Sequence, residues 1–197
     1  MIRRGERRIV IRRGKFSFLT MVSASVRWLD NGSTETVSAR VDIGRSANSS
    51  SPDAQCLLTI DDEPRLLASL WQRSGEVYTF RDAQYWKGFL IIGWGHALFV
   101  IDPESASAIR HELGTYFGSM HADEVLLVAS GERVVRVSTA GSIAWKSERV
   151  GIDGVTFSNV DAEFVDGSGE WDPPGEWMRY KLRLTDGAVV AGGNPNW

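Results

Sequence analysis

Residues 89–102 and 125–138 read as two copies of one pattern, 36 positions apart. Gly95 falls on Gly131, Leu98-Phe99 on Val134-Val135, Ile101 on Val137, and Ile109 on Trp145. Each copy runs strand, glycine turn, strand, polar turn, strand. Alternating apolar positions around tight turns, recurring at this period, demand stacked or sandwiched antiparallel sheets. A third, degraded copy is read at Tyr180-Lys181-Leu182-Arg183-Leu184-Thr185-Asp186-Gly187, followed by Ala188-Val189-Val190. Pro103 to Leu113 has a helical alternative, since Asp102-Pro103-Glu104 could cap a helix, but the repeat favours a turn and then a strand.

Within the second copy, Arg136-Val137-Ser138-Thr139-Ala140-Gly141-Ser142-Ile143-Ala144-Trp145 resembles the blade motif of PQQ-type β-propeller repeats. It has a strand, a polar turn with glycine, and a strand bearing tryptophan. Val100-Ile101-Asp102-Pro103-Glu104-Ser105 is similar to the same turn, so the resemblance covers about residues 85–147. It implies propeller-like sheets. Two or three units are too few for a ring of 4–8 blades, so no closed ring and no quinone or other cofactor is expected.

The rest of the chain fits a mainly β protein. Phe16 to Leu29 and Thr34 to Val41 flank Asp30-Asn31-Gly32-Ser33, and Asn-Gly favours the type I′ turn of a hairpin, predicted over 16–43. Residues 44–54 are a Ser/Gly/Pro loop, and Gln55–Ile60 is a short strand. Asp61-Asp62-Glu63-Pro64 resembles a helix start, and Leu66, Leu67, Leu70 and Trp71 share a helical face, so one short helix is predicted to about residue 72. With 197 residues, 43% of them hydrophobic, the chain is read as a single domain. Its parts are a basic N-terminal arm over 1–15, the hairpin, and a repeat-containing β region over 76–197.

Cys56 is the one cysteine, which excludes an internal disulfide and reads as a small buried hydrophobe. No apolar run is long enough to cross a membrane, and Ile9-Val10-Ile11 is too short for the core of a secretory signal. A cytoplasmic location is the expectation.

Charge is unevenly spread. Residues 1–15 carry seven basic side chains against Glu6, and the remaining chain has 15 basic and 24 acidic residues, a net of −9. Residues 150–178 contain no Lys or Arg and seven acids: Asp153, Asp161, Glu163, Asp166, Glu170, Asp172 and Glu176. Nucleic acid is disfavoured as a partner, because no recognition motif accompanies the arm and the rest of the chain repels phosphate. A basic protein fits better.

Within that stretch Asp166, Ser168, Glu170 and Asp172 alternate like the ligands of a calcium loop. The sixth and twelfth positions, which should be Gly and Glu, are Trp171 and Trp177, so no metal site is assigned. A stiffened loop flanked by tryptophans has the composition of a binding hot spot. The partner-binding candidates are therefore Asp166, Glu170, Trp171, Asp172, Pro173, Pro174, Glu176 and Trp177. The competing reading is a loop that folds both tryptophans back over its own core.

None of His96, His111 and His121 has zinc-like spacing, and no nucleophile elbow or phosphate-binding glycine loop occurs. No catalytic residue is assigned. The expected function is a non-catalytic protein-binding module, similar in style to bacterial immunity proteins that cover a toxin's active site. The alternative is an enzyme or small-ligand-binding β protein with a strand-end pocket lined by Trp94, His96, His111 and His121. A scaffold associating through exposed strand edges is a third choice.

Overall fold

The computed structural model describes residues 7–11, 22–29, 35–45, 51–72 and 80–193, and all its regular structure is β. Among the described residues four sheets form, and none closes on itself. The described residues fall into two compact units. One lies within 1–77, 83–92 and 100–109, the other within 78–82, 93–99 and 110–197.

The first sheet contains β1 (Arg7–Ile11), β2 (Val22–Leu29), β3 (Ala39–Ile43), β4 (Ala54–Ile60) and β5 (Glu63–Leu70), in the order β1-β2-β4-β5-β3. Two expectations are corrected here. The 16–43 segment is not a hairpin of neighbouring strands. Both edges of β2 are taken, by β1 and β4, while β3 crosses to the far side and pairs parallel with β5. The Asn31-Gly32 turn and residues 16–21 lie outside the described residues, as does most of the basic arm.

The predicted short helix is strand β5. Asp61 (φ 51°) and Asp62 (φ 63°) are both left-handed and form a two-residue turn that sets Ile60 opposite Glu63. Asp61 is also tied to β2: its carboxylate accepts the Ser23 N–H at 2.9 Å, and its own N–H donates to the Ser23 carbonyl at 2.8 Å. The spacing of Leu66, Leu67, Leu70 and Trp71 suits one side of a helix. It equally suits a strand buried on both faces, and residues 66–71 are all buried. Pro64 falls before the stretch of β5 that pairs with β3, so its missing N–H breaks no bond of that ladder.

The repeat appears as strands. β6 (Arg81–Trp86), β7 (Phe89–Trp94), β8 (Ala97–Asp102) and β9 (Ser107–Glu112) form a four-stranded meander. β10 (Phe117–Ala122), β11 (Leu126–Ser130), β12 (Val134–Val137) and β13 (Ile143–Lys146) form the next, each strand starting 36 or 37 residues after its counterpart. Residues after Pro103 do form a turn and then a strand. The third copy is a complete sheet: β14 (Val155–Val160), β15 (Phe164–Asp172), β16 (Glu176–Arg183) and β17 (Val189–Gly192). Its middle hairpin, β15–β16, is the longest of the repeat region.

In the second unit the last two sheets share one core. Leu127, Ala129, Val134 and Trp145 pack against Val155, Val165, Tyr180, Leu182 and Leu184. Trp145 fastens them: its indole N–H donates to the Leu184 carbonyl at 2.9 Å, which also accepts Arg136 Nη1 at 2.8 Å. Gly187, in the same β16–β17 turn, has φ +75°, and a Cβ there would stand 2.5 Å from the indole. A related bond recurs one repeat earlier. His111 on β9 sits 2.7 Å from the Gly141 carbonyl in the β12–β13 turn, and since a carbonyl only accepts, Nε2 carries the proton.

If this interlock holds the sheets together, two variants should rank in a set order. Trp145→Phe keeps the ring and leaves Leu184 its Arg136 bond, so it should cost about 1 kcal/mol of unfolding free energy. Gly187→Ala adds both strain and a clash and should cost about 2–3 kcal/mol. Urea denaturation of the pair checks this; two variants that both unfold like the parent chain would remove the interlock.

Candidate functional site

The acidic, tryptophan-bearing segment is not a loop but the end of the β15–β16 hairpin. Along β15, Val165, Gly167 and Gly169 are buried while Asp166, Ser168 and Glu170 are half-exposed, the alternation of a strand with one covered face. Gly167 leaves room for its cross-strand partner Tyr180, whose ring and hydroxyl occupy the space a Cβ would need. The Tyr180 hydroxyl donates to the Thr156 carbonyl at 3.0 Å, and burial, followed by the charge of Asp166, pushes this phenol well above the ordinary tyrosine range. The inward face of the hairpin is thereby tied down.

Its outward face carries the charges. Asp166 pairs with Lys181 across the hairpin at 3.6 Å, and the Lys181 ammonium lies 4.6 Å from the centre of the Phe164 ring. Glu170 stands opposite Trp177, and beyond a bulge at Trp171, Asp172 stands opposite Glu176. Pro173-Pro174, joined by a cis peptide, and Gly175 close the end, with the Gly175 N–H donating to Glu170 Oε1 at 2.7 Å.

The candidate residues therefore part company. Asp166 is matched by the protein's own lysine. Trp171 is half-buried, its indole nitrogen shut off from solvent with no hydrogen-bond partner. Asp172, Pro173, Pro174 and Glu176 are exposed, and Trp177 is 46% exposed. Asp172 and Glu176 face each other with no ion pair among the described residues. Two like charges directly opposite on neighbouring strands work against the hairpin. Of the remaining acids in 150–178, Asp161 is structural: it accepts the N–H groups of Glu163 and Phe164 at 2.8 and 2.7 Å, which hold its carboxyl below the usual range.

The surface extends beyond the hairpin to residues the sequence did not single out. Trp177 lies over Gly154, where a Cβ would come within 2.9 Å of the indole and 3.6 Å of Glu170 Oε2. Gly154 donates to the Gly131 carbonyl at 2.8 Å, and Gly131 donates to the Tyr116 carbonyl at 3.0 Å. The Tyr116 ring covers Gly131, its hydroxyl donates to the Asp153 carbonyl at 2.7 Å, and the exposed Phe80 stacks on it with centroids 5.9 Å apart. Phe80, Tyr116 and Trp177 thus stand around a glycine floor, beside Asp153 and Glu170.

No family model and no curated protein matches this chain.

The other candidates are placed as follows. His96 is exposed in the β7–β8 turn, His111 is bonded to Gly141, and His121 lies on β10 opposite Leu127. No hydrogen bond or ion pair joins two of them among the described residues, and Trp94 is buried beneath Arg81. Cys56 is buried and takes part in no disulfide. No group of side chains arranged to hold a metal occurs among the described residues, and no helix there is long and apolar enough to cross a membrane.

The electrostatics of Tyr116 yield a measurable consequence. Burial, then the Asp153 and Glu170 charges, push its phenol up to about 12 from 10. A raised pKa in the folded state means that stability is intact below pH 10 and falls as pH climbs towards 12. Tyr116→Phe should remove one tyrosinate step near pH 12 and lessen the alkaline loss of stability. An ultraviolet titration in parallel with alkaline unfolding tests this; an unchanged profile would count against the burial described.

Proposed function

We propose that this chain is a non-catalytic protein-binding module that recognises a basic partner through the exposed end of the β15–β16 hairpin. The observation that carries the reading is the Asp172–Glu176 pair beside the exposed Trp177. A like-charge pair weakens the isolated hairpin, and a cation supplied by a partner turns the same pair into a source of affinity. A large aromatic side chain at the centre of such a patch is the usual anchor of an interface. The tied inward face lets the end be presented without ordering a long loop, which limits the entropy lost on binding.

The finer form of the proposal is an immunity-type role, in which an acidic face covers a basic active site of a toxin. The acidic balance of the chain outside residues 1–15 supports it. A single, buried cysteine, which allows no internal disulfide, supports a reducing, cytoplasmic setting. The alternative of a strand-end pocket is weakened by His111, whose ring is engaged by Gly141, and by the burial of Trp94.

Capture experiments with the tagged chain should retain a basic protein at low salt and release it at high salt. Asp172→Asn combined with Glu176→Gln should weaken that binding about tenfold and flatten its salt dependence. A partner held equally well by the double variant would overturn the proposal.

A further inference from the structure

Phe80, Tyr116 and Trp177 form an exposed aromatic surface that no core requirement explains. Phe80 is 49% exposed and Trp177 46%, although both are large apolar groups. They belong to three separate elements: the entry to β6, the entry to β10 and the start of β16. Between them runs a floor of backbone, Gly131 and Gly154, where a side chain would collide with Tyr116 or Trp177. The floor is hydrogen-bonded through Gly154 to Gly131 and through Gly131 to Tyr116, so it is held rather than loose.

Two carboxylates, Asp153 and Glu170, act on the Tyr116 ring of this surface. Glu170 spends Oε1 on the Gly175 N–H, while Oε2 faces the floor next to the Trp177 ring. Asp153 and Glu170 are both near enough to the Tyr116 phenol to raise its pKa. Neither carboxylate is in an ion pair among the described residues. Three cations of the unit have other roles or positions: Arg81, next to Phe80 in the chain, lies over the Trp94 ring, Arg149 is held bidentately by Glu132 at 3.0–3.2 Å, and Arg179 lies two residues along β16, opposite Ser168. Aromatic faces are negative at their centres, so rings and carboxylates together favour a cation and disfavour an anion.

We infer that Phe80, Tyr116 and Trp177, with Glu170 and Asp153, form a receptor for one cationic side chain, an arginine or lysine presented by the basic partner. The inference rests on the reading of the hairpin as a protein-binding end, and it names what that partner must insert. The Tyr116 hydroxyl is already occupied with the Asp153 carbonyl, which keeps the phenol neutral and its ring in place. Glu170 is positioned by the turn it caps. A guanidinium here would meet π faces and Oε2 of Glu170 at once.

The probe is a blocked Gly-Gly-Arg-Gly-Gly peptide, compared with its citrulline counterpart, which has the same shape without the charge. Titrations followed by the side-chain indole resonance of Trp177 should show a shift with the arginine peptide and none with citrulline. Phe80→Leu and Glu170→Gln should each weaken the arginine peptide about three- to tenfold. Both positions are at the surface, and unchanged thermal unfolding confirms the fold. Equal response to citrulline, or a response to a neutral trisaccharide in place of the arginine peptide, would overturn the receptor. Asp172→Asn with Glu176→Gln should leave the pentapeptide within about twofold. A lost titration with intact charge-dependent capture therefore faults the receptor alone, and the opposite result faults the hairpin reading.

Discussion

The indole of Trp145 reaching the Leu184 carbonyl is the bond on which the arrangement of the second unit depends. Each sheet of this region is a simple meander, and a meander alone does not determine how it stacks on the next. Burial of Val134, Val155 and Leu182 attracts the two sheets without direction. The N–H donor of Trp145, the Arg136 guanidinium on the same carbonyl, and the space left at Gly187 turn that attraction into one alignment. His111 applies the same rule to Gly141 one repeat earlier. Hydrophobic area thus brings the layers together, and a directional bond at a tight turn sets their register.

That alignment also brings the aromatic surface together. Tyr116 enters β10, Gly131 follows β11, Gly154 precedes β14, and Trp177 starts β16. They meet because two sheets are stacked in one way. A slip of either sheet would separate Trp177 from Tyr116 while leaving every strand intact. Stability of the sheet interface and competence of the surface are therefore linked.

The architecture was largely legible in the residues, and the failures have definite causes. The 36-residue offset between Gly95 and Gly131 revealed two sheets, because alternation and turn glycine are local properties. The third sheet was seen only at Tyr180–Val190, since Pro173, Pro174 and the lengthened β15 disrupt the period. Asn31-Gly32 signals a reversal of the chain but cannot say which strand edge is vacant, so β2 was assigned the wrong neighbour. Leu66, Leu67, Leu70 and Trp71 fit two geometries, and the tie was broken by Asp61 and Asp62 adopting positive φ, which aspartates do at turns. Trp177 and the Asp172–Glu176 pair were visible in the composition of one segment. Phe80, Tyr116 and Gly154 were not, because what relates them is proximity across sheets and not spacing along the chain.

The outward face of the last sheet carries Asp166, Glu170, Arg179, Lys181 and Arg183, all at least partly in water. The opposite face of this sheet is covered by the β10–β13 sheet; this face stays wetted. A meander laid on it would have to strip those groups of hydration, with the Trp177 indole among the little apolar area offered in return. Water held on this face thus sets a cost that any layer stacked against it would have to meet.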